Sequence, residues 1–235
     1  DRITPQDSAL PDTPKDLLEL ADTIYLKSRN VTRLKRALAS LDKAAKLEPK
    51  RYDTQWHLAR LYSVLARYDS NRGEVWASNG RNAALEAIKL RPQSVEGHLY
   101  HSVCSGILGK YRISSAEELS KDALKSAVKA AQIAPNFSDG LALRIQGAIY
   151  LYAPAWPGGV GDLDEAFEIL EKLAKDHPAP ENFYYLAEAY RKAEQHPEAI
   201  KYYRRVLKFK PKGLWRVEGP RFRNTTKQHL KRLGR

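Results

Sequence analysis

Apolar, alanine-rich segments of this chain each run into a proline. AKLEP ends at Pro49, AIKLRP at Pro92, AAQIAP at Pro135, LAKDHP at Pro178 and LKFKP at Pro211, at intervals of 43, 43, 43 and 33 residues. Twelve positions before each proline stands a small residue: Ala37, Gly80, Ala123, Ala166 and Ala199. Five positions before stands an apolar one: Ala44, Ala87, Ala130, Leu173 and Val206. A small side chain lets a helix approach its neighbour's backbone, and an apolar residue seven positions later stays on that face. Proline lacks the N–H that would continue the helix and biases the residue before it away from helical backbone. The pattern predicts helical hairpins, each ending at a fixed place. No segment alternates polar and apolar residues for long, so sheet is not expected.

Helix starts fit the same scheme. Thr13–Pro14–Lys15–Asp16 offers an N-cap, a first-turn proline and a first-turn acid. Ser115–Ala116–Glu117–Glu118 and Asp162–Leu163–Asp164–Glu165 read as capping boxes or close variants. His196–Pro197–Glu198 opens the last second helix, and residues 1–12 read as an extended leader.

Phe183, Leu186, Ala187, Tyr190, Ala199, Tyr203 and Pro211 carry an aromatic–Leu–small–aromatic, Ala–aromatic, Pro signature. This stretch resembles the tetratricopeptide repeat, with Ala187 in place of the family's glycine. Leu58, Ala59 and Tyr62, with Trp56 just before them, repeat the first-helix motif; Ala37, Leu41, Ala44 and Pro49 repeat the second. The likeness covers roughly residues 14–211 and thins near Ser102 and Gly147. It implies an all-α solenoid of about five hairpins over residues 13–211. Three of these have periods longer than the ~34 residues of the standard repeat. Because the proline spacing of the second helices is kept, the extra residues are expected in first helices or loops. The candidate insertions are Tyr68–Asn79, Gly109–Ser115 and Ala153–Gly161. Residues 212–235 form a basic segment, within which 224–235 read as a polar capping helix docked by Leu230 and Leu233.

The stretch YAPAWPGGVGDLDEAFEIL is similar to a Pro–Gly–Gly–Asp loop of the T component of tripartite ATP-independent periplasmic transporters. It is similar also to the microtubule-dynamics-regulator group. The first resemblance implies a lipoprotein in the periplasm or cell envelope that partners a periplasmic solute-binding protein. A cytoplasmic location is the alternative.

Composition narrows the options. One cysteine in 235 residues excludes a disulfide framework and any zinc site built on paired cysteines. The longest strongly apolar run, Ala148–Ala153, is far short of the ~20 residues a spanning helix needs. Position 1 is Asp and methionine is absent, which leads us to expect that a leader was removed. The net charge of +12 is local: residues 201–235 hold 13 Lys and Arg against Glu218 alone, and the first 200 residues balance. This disfavours a uniformly basic nucleic-acid surface and leaves a basic end to explain. Lys208, Lys210, Lys212, Arg216, Arg221 and Arg223 form the patch. Its readings are a polar cap, contact with an anionic membrane in which Trp215 and Phe222 act as interfacial anchors, and, least expected, phosphate contacts to nucleic acid.

Chemistry of the catalytic kind finds little footing. His98, His101 and Cys104 are spaced like metal ligands but drift around a helix, so a packed thiol is expected and no metal is assigned. Pro157–Gly158–Gly159–Val160–Gly161 lacks the Gly-Lys-Ser/Thr ending of a phosphate loop and reads as structural punctuation. No nucleophile elbow or His-Glu-x-x-His occurs. No catalytic, cofactor or metal residue is assigned, and the chain is read as a non-enzyme.

What recurs is aromatic and basic residues on first helices, which line the inner curve of such stacks. Trp56 and Arg60 in one repeat, and Tyr184, Glu188 and Arg191 in another, are expected to face a concave groove, with Arg144 a third contributor. Such side chains supply large contact area at limited entropic cost. The expected function is a scaffold holding a partner protein or extended peptide there. The alternatives are a small-ligand pocket closed by the insertions and a self-assembling adaptor.

Overall fold

A computed structural model of the chain describes residues 9–155 and 157–234. Of the expected leader, residues 1–8 lie outside the described residues, as does Trp156 in the Gly–Gly loop. Among the described residues the chain is helical and has no strand beyond an isolated bridge between Ala155 and Gly161. None of these helices is long and apolar enough to cross a membrane.

Among the described residues eleven α-helices follow in order: α1 (Pro14–Lys27), α2 (Val31–Leu47), α3 (Tyr52–Tyr68), α4 (Gly73–Leu90), α5 (Val95–Gly109), α6 (Ala116–Ile133), α7 (Leu141–Tyr152), α8 (Leu163–Asp176), α9 (Pro180–Lys192), α10 (His196–Lys208) and α11 (Trp215–Arg232). They form two compact units, residues 1–107 and 108–235. In the first unit, α1 pairs with α2 and α3 with α4, and the first helices α1 and α3 also touch. In the second, α7 pairs with α8 and α9 with α10, the first helices α7 and α9 touch, and α11 packs on α10 and α9. The fold class is all-α, of the solenoid type built from helical hairpins.

The prolines set the helix ends as the spacing predicts. α2, α4, α6 and α8 each stop two residues before their proline. The intervening residues Glu48, Arg91, Ala134 and His177 share one backbone conformation, with φ between −149 and −129° and ψ between 80 and 86°. Proline's Cδ disfavours the α region for the residue before it. Each of these four residues still donates its N–H to the carbonyl five positions before the proline, on Ala44, Ala87, Ala130 and Leu173.

The small residues lie where helices approach closely. Ala37, Ala123, Ala166 and Ala199 are wholly buried. At Gly80 a Cβ would stand 2.6 Å from the Cys104 Sγ and 2.9 Å from the Tyr62 Cβ, so only glycine fits without displacing one of them. Cys104 itself is buried, its thiol pushed up to about 12 by desolvation. Its Sγ–H faces the Ala59 carbonyl at 3.7 Å, while His98 Nε2 lies 2.9 Å from the Pro92 carbonyl, so the two do not converge.

Three expectations need correction. First, in the first two long periods part of the extra residues lies in the second helices, beside the 17-residue first helix α3, whereas in the third they lie in the link between α7 and α8, as expected at Ala153–Gly161. α4 and α6 have 18 residues where α10 has 13, and α4 begins at Gly73 inside the expected Tyr68–Asn79 insertion. The proline fixes only the C-terminal end of a rod, so growth at its N-terminal end leaves the proline beat intact. Second, Ser115 makes no side-chain cap, because a 3-10 turn at Ile113–Ser115 already feeds α6; Thr13 and Asp162 do cap α1 and α8. Third, the C-terminal helix starts at Trp215, not near 224, and runs through Pro220.

Candidate functional site

In the first unit three successive first helices build one face. Asp22 and Tyr25 stand three residues apart on α1, one helical turn, and Trp56 and Arg60 stand four apart on α3, so each pair shares a face. Tyr100 comes from α5. The Arg60 guanidinium lies between two rings, 4.0 Å from the Tyr25 centroid and 4.9 Å from that of Trp56. Trp56 in turn stacks on Tyr100 at 6.3 Å with only 6° between planes. Cation–π contact of this kind contributes about 0.5–2 kcal/mol and holds the aromatic planes in register.

The charge of Arg60 is answered by Asp22, to which its Nη2 donates. His57 stands on the same carboxylate at 3.2 Å, with its Nδ1 donating to the Asp53 carbonyl at 2.6 Å. Burial opposes ionisation of Asp22, but the His57 hydrogen bond and the Arg60 charge outweigh it and hold its carboxyl below the ordinary range. The Asp22 side chain keeps 41% of its exposure. The face therefore presents a charged carboxylate beside stacked aromatic planes. That arrangement can take hydrogen bonds from peptide N–H groups and bury apolar side chains against the rings.

The expected counterparts in the second unit are disposed differently. Glu188 is 3% exposed, and its carboxylate accepts from Tyr152 Oη at 2.9 Å, from Arg191 Nη2 at 2.9 Å and from the Tyr203 hydroxyl, with His229 Nε2 at 3.3 Å. Tyr184 packs edge-on against Phe222 at 4.9 Å, and Tyr185 meets the same ring at 6.3 Å. His229 and Phe222 both belong to α11. The helix that caps the unit thus covers part of the α9 face on which Tyr184 and Glu188 were expected to await a partner. Arg144 is likewise engaged, donating to Asn182 Oδ1 at 2.7 Å, while Asn182 holds the Asp139 and His177 carbonyls. Glu181, next to it, is buried enough that its pKa is raised despite the Arg144 charge.

The basic patch divides. Lys208, Lys210, Lys212, Arg216 and Arg221 are exposed. Arg223 is not a free charge: its Nη1 donates to the carbonyls of Leu207 and Phe209, closing the end of α10. Trp215 and Phe222, expected as membrane anchors, are 7% and 8% exposed and belong to the core with Phe183 and Leu186. A ring packed inside the unit cannot sit among lipid headgroups, so that reading of the two aromatics is withdrawn.

Sequence reasoning missed Asp22, Tyr25 and Tyr100, which complete the first-unit face. The missed signal was the phase of α1: Asp22 and Tyr25 follow the buried Leu18 by four and seven residues, which sets both beside the helix's packed stripe.

Residues 180–212 match the model of the tetratricopeptide repeat. No curated protein sequence matches the chain. Among solved structures, a thermophilic tetratricopeptide-repeat protein of Thermus thermophilus is similar with a TM-score of 0.71 at 19% identity, over 92% of this chain and 98% of that one. PilF of Pseudomonas aeruginosa is similar with a TM-score of 0.57 at 16% identity, over 94% of this chain and 93% of its own. The signature at Phe183–Pro211, the repeated hairpins and these likenesses agree: the chain carries a tetratricopeptide repeat at residues 180–212 and has the fold of tetratricopeptide-repeat proteins.

Proposed function

We propose that the chain is a non-enzymatic scaffold that holds an extended segment of another protein on the first-helix face of its first unit. The fold is one that serves protein–protein interaction in general. The observation that carries the finer reading is the contrast between the two first-helix faces. In the first unit Arg60 lies against the Tyr25 and Trp56 rings, Trp56 stacks on Tyr100, and the half-exposed Asp22 carboxylate stands beside them. In the second, α11 occupies the corresponding place on α9. Rigid aromatic planes supply binding area at low entropic cost, and a charged carboxylate gives direction to the backbone of an extended peptide. An envelope location, beside a transporter's solute-binding protein, is the part of this proposal supported by the resemblance of the Ala153–Gly161 loop.

Affinity capture with the full chain from separate envelope and cytosolic fractions tests it. A protein retained by the wild type and lost with Trp56→Ala is the expected result. Identical capture by both would overturn the docking face, and a partner found only in the cytosolic fraction would overturn the envelope reading.

A further inference from the structure

Where α10 ends, the chain turns through residues 209–214 into α11 and leaves an open cleft of about 550 Å³ beside the start of α9. Pro180, Phe209 and Trp215 line it with apolar surface, and Lys208, Lys210 and Lys212 line it with charge. None of the three lysines has a hydrogen-bond or ion-pair partner among the described residues. Lys43, Lys35 and Lys89, by contrast, are paired with Asp12 at 2.7 Å, Asp69 at 3.0 Å and Glu86 at 2.5 Å. Three uncompensated ammonium groups around a low-dielectric wall focus a positive potential into the cleft.

The occupant must answer both features. A small inorganic anion would use the charge and leave the apolar floor wet. An anionic bilayer would use the lysines but leave the recessed floor unfilled, since Trp215 is packed on Phe222 at 5.6 Å. A single-stranded nucleic acid would need exposed stacking platforms, which the buried indole does not offer. A peptide that carries one apolar side chain between carboxylates satisfies floor and rim together.

We propose that this cleft docks an acidic peptide segment of a partner protein, seating an apolar side chain against Pro180 and Phe209 and pairing its carboxylates with Lys208, Lys210 and Lys212. The surface is separate from the first-helix face of the first unit, so neither proposal depends on the other.

The test uses the full chain and a fluorescein-labelled peptide, Asp-Glu-Glu-Phe-Asp-Glu, with an analogue in which Ala replaces Phe, followed by fluorescence anisotropy at low and physiological salt. The proposal expects binding of the Phe peptide that weakens with salt. It expects a loss of about tenfold in the triple variant K208E/K210E/K212E and a clear loss with the Ala analogue. The K208Q/K210Q/K212Q variant, which adds no repulsion, is expected to fall between, and Lys121→Gln, at an exposed position on α6, is expected to bind as the wild type does. Circular dichroism confirms that the exposed substitutions leave the helices intact. Unchanged affinity on charge reversal, equal binding of the Ala analogue, or no binding of the Phe peptide overturns the proposal. Two other outcomes overturn it in favour of another occupant. One is lysine-dependent sedimentation with phosphatidylserine vesicles without peptide binding; the other is salt-dependent self-association of the chain by light scattering.

Discussion

His229 on α11 stands 3.3 Å from the Glu188 carboxylate on α9, and the same carboxylate accepts the Tyr203 hydroxyl from α10. With Tyr152 of α7 also donating to it, one buried acid thus ties four helices of the second unit together. Removing it leaves Tyr152, Tyr203, Arg191 and His229 without their common acceptor. Because a buried polar group stranded without a partner costs its full desolvation, Glu188→Ala is expected to cost about 3 kcal/mol. Tyr203→Phe, which removes one donor of several, is expected to cost about 1 kcal/mol. Urea unfolding of the two variants measures both.

The same cluster sets a pH dependence. Burial opposes the charge of Glu188, but hydrogen bonds from Arg191 and Tyr203 and the nearby positive charge outweigh it, and its pKa lies below the ordinary 4.5. Its contribution is present above that ordinary value and is lost as pH falls through the lowered one. His229 is held below 6.5 by desolvation, opposed by the charge of Glu188 and aided by those of Arg191 and Arg232. A histidine kept neutral in the folded state loses stability as pH falls below 6.5. Both groups act in one direction, so acidification is expected to weaken the second unit, beginning near pH 6.5. Urea midpoints measured across this range check it, and His229→Gln is expected to flatten the upper part of the curve.

Gly80 tests the close helix contact. Alanine in the middle of α4 gains about 1 kcal/mol in helix propensity. Its methyl would stand at 2.6 Å from Cys104 Sγ and 2.9 Å from Tyr62 Cβ, overpacking that costs about 1–3 kcal/mol. We expect Gly80→Ala to be net destabilising by about 1 kcal/mol, and Cys104→Ala, which removes the nearer atom, to recover part of the loss in a double-mutant cycle.

Phe222 is the apolar counterpart of His229. Its ring packs on Tyr184, Tyr185 and Trp215, and it is 8% exposed. Phe222→Ala is expected to cost about 3 kcal/mol, the low end for a buried ring, because α11, which packs on α10 and α9, can shift into the gap. Hydrogen exchange should show faster exchange of α11 amides than in the wild type. Unchanged protection of α11 would mean that Phe222 does not hold it.

The helix ends were legible because their cause is local: Pro49, Pro92, Pro135 and Pro178 act on the residue beside them. The small residues were legible for a related reason, since Gly80 and Ala123 mark contacts that recur with the repeat. Ser115 misled because a 3-10 turn can feed a helix without a side-chain cap, and composition does not separate the two. Gly219 and Pro220 disfavour helix, so the start of α11 at Trp215 does not follow from local preference, which burial of Trp215 and Phe222 outweighs. The phase of α9 gave the positions of Tyr184 and Glu188. That α11 covers them follows from contacts between residues far apart in sequence, which no spacing rule contains. In the first unit, Trp56 and Arg60 were legible from the repeat phase, whereas Asp22, Tyr25 and Tyr100 join them only once the helices are stacked.

A partner docked on the first-helix face of the first unit would lie within reach of Tyr25 and Trp56. Site-specific photo-crosslinking in living cells tests this docking most directly, with a photoreactive residue placed in turn at Tyr25 and Trp56, and at exposed Glu86 on α4 as a control. One crosslinked partner band shared by positions 25 and 56 and missing at 86 is the expected result. A band at 86 equal to those at 25 and 56, or crosslinks from none of the three, would contradict it.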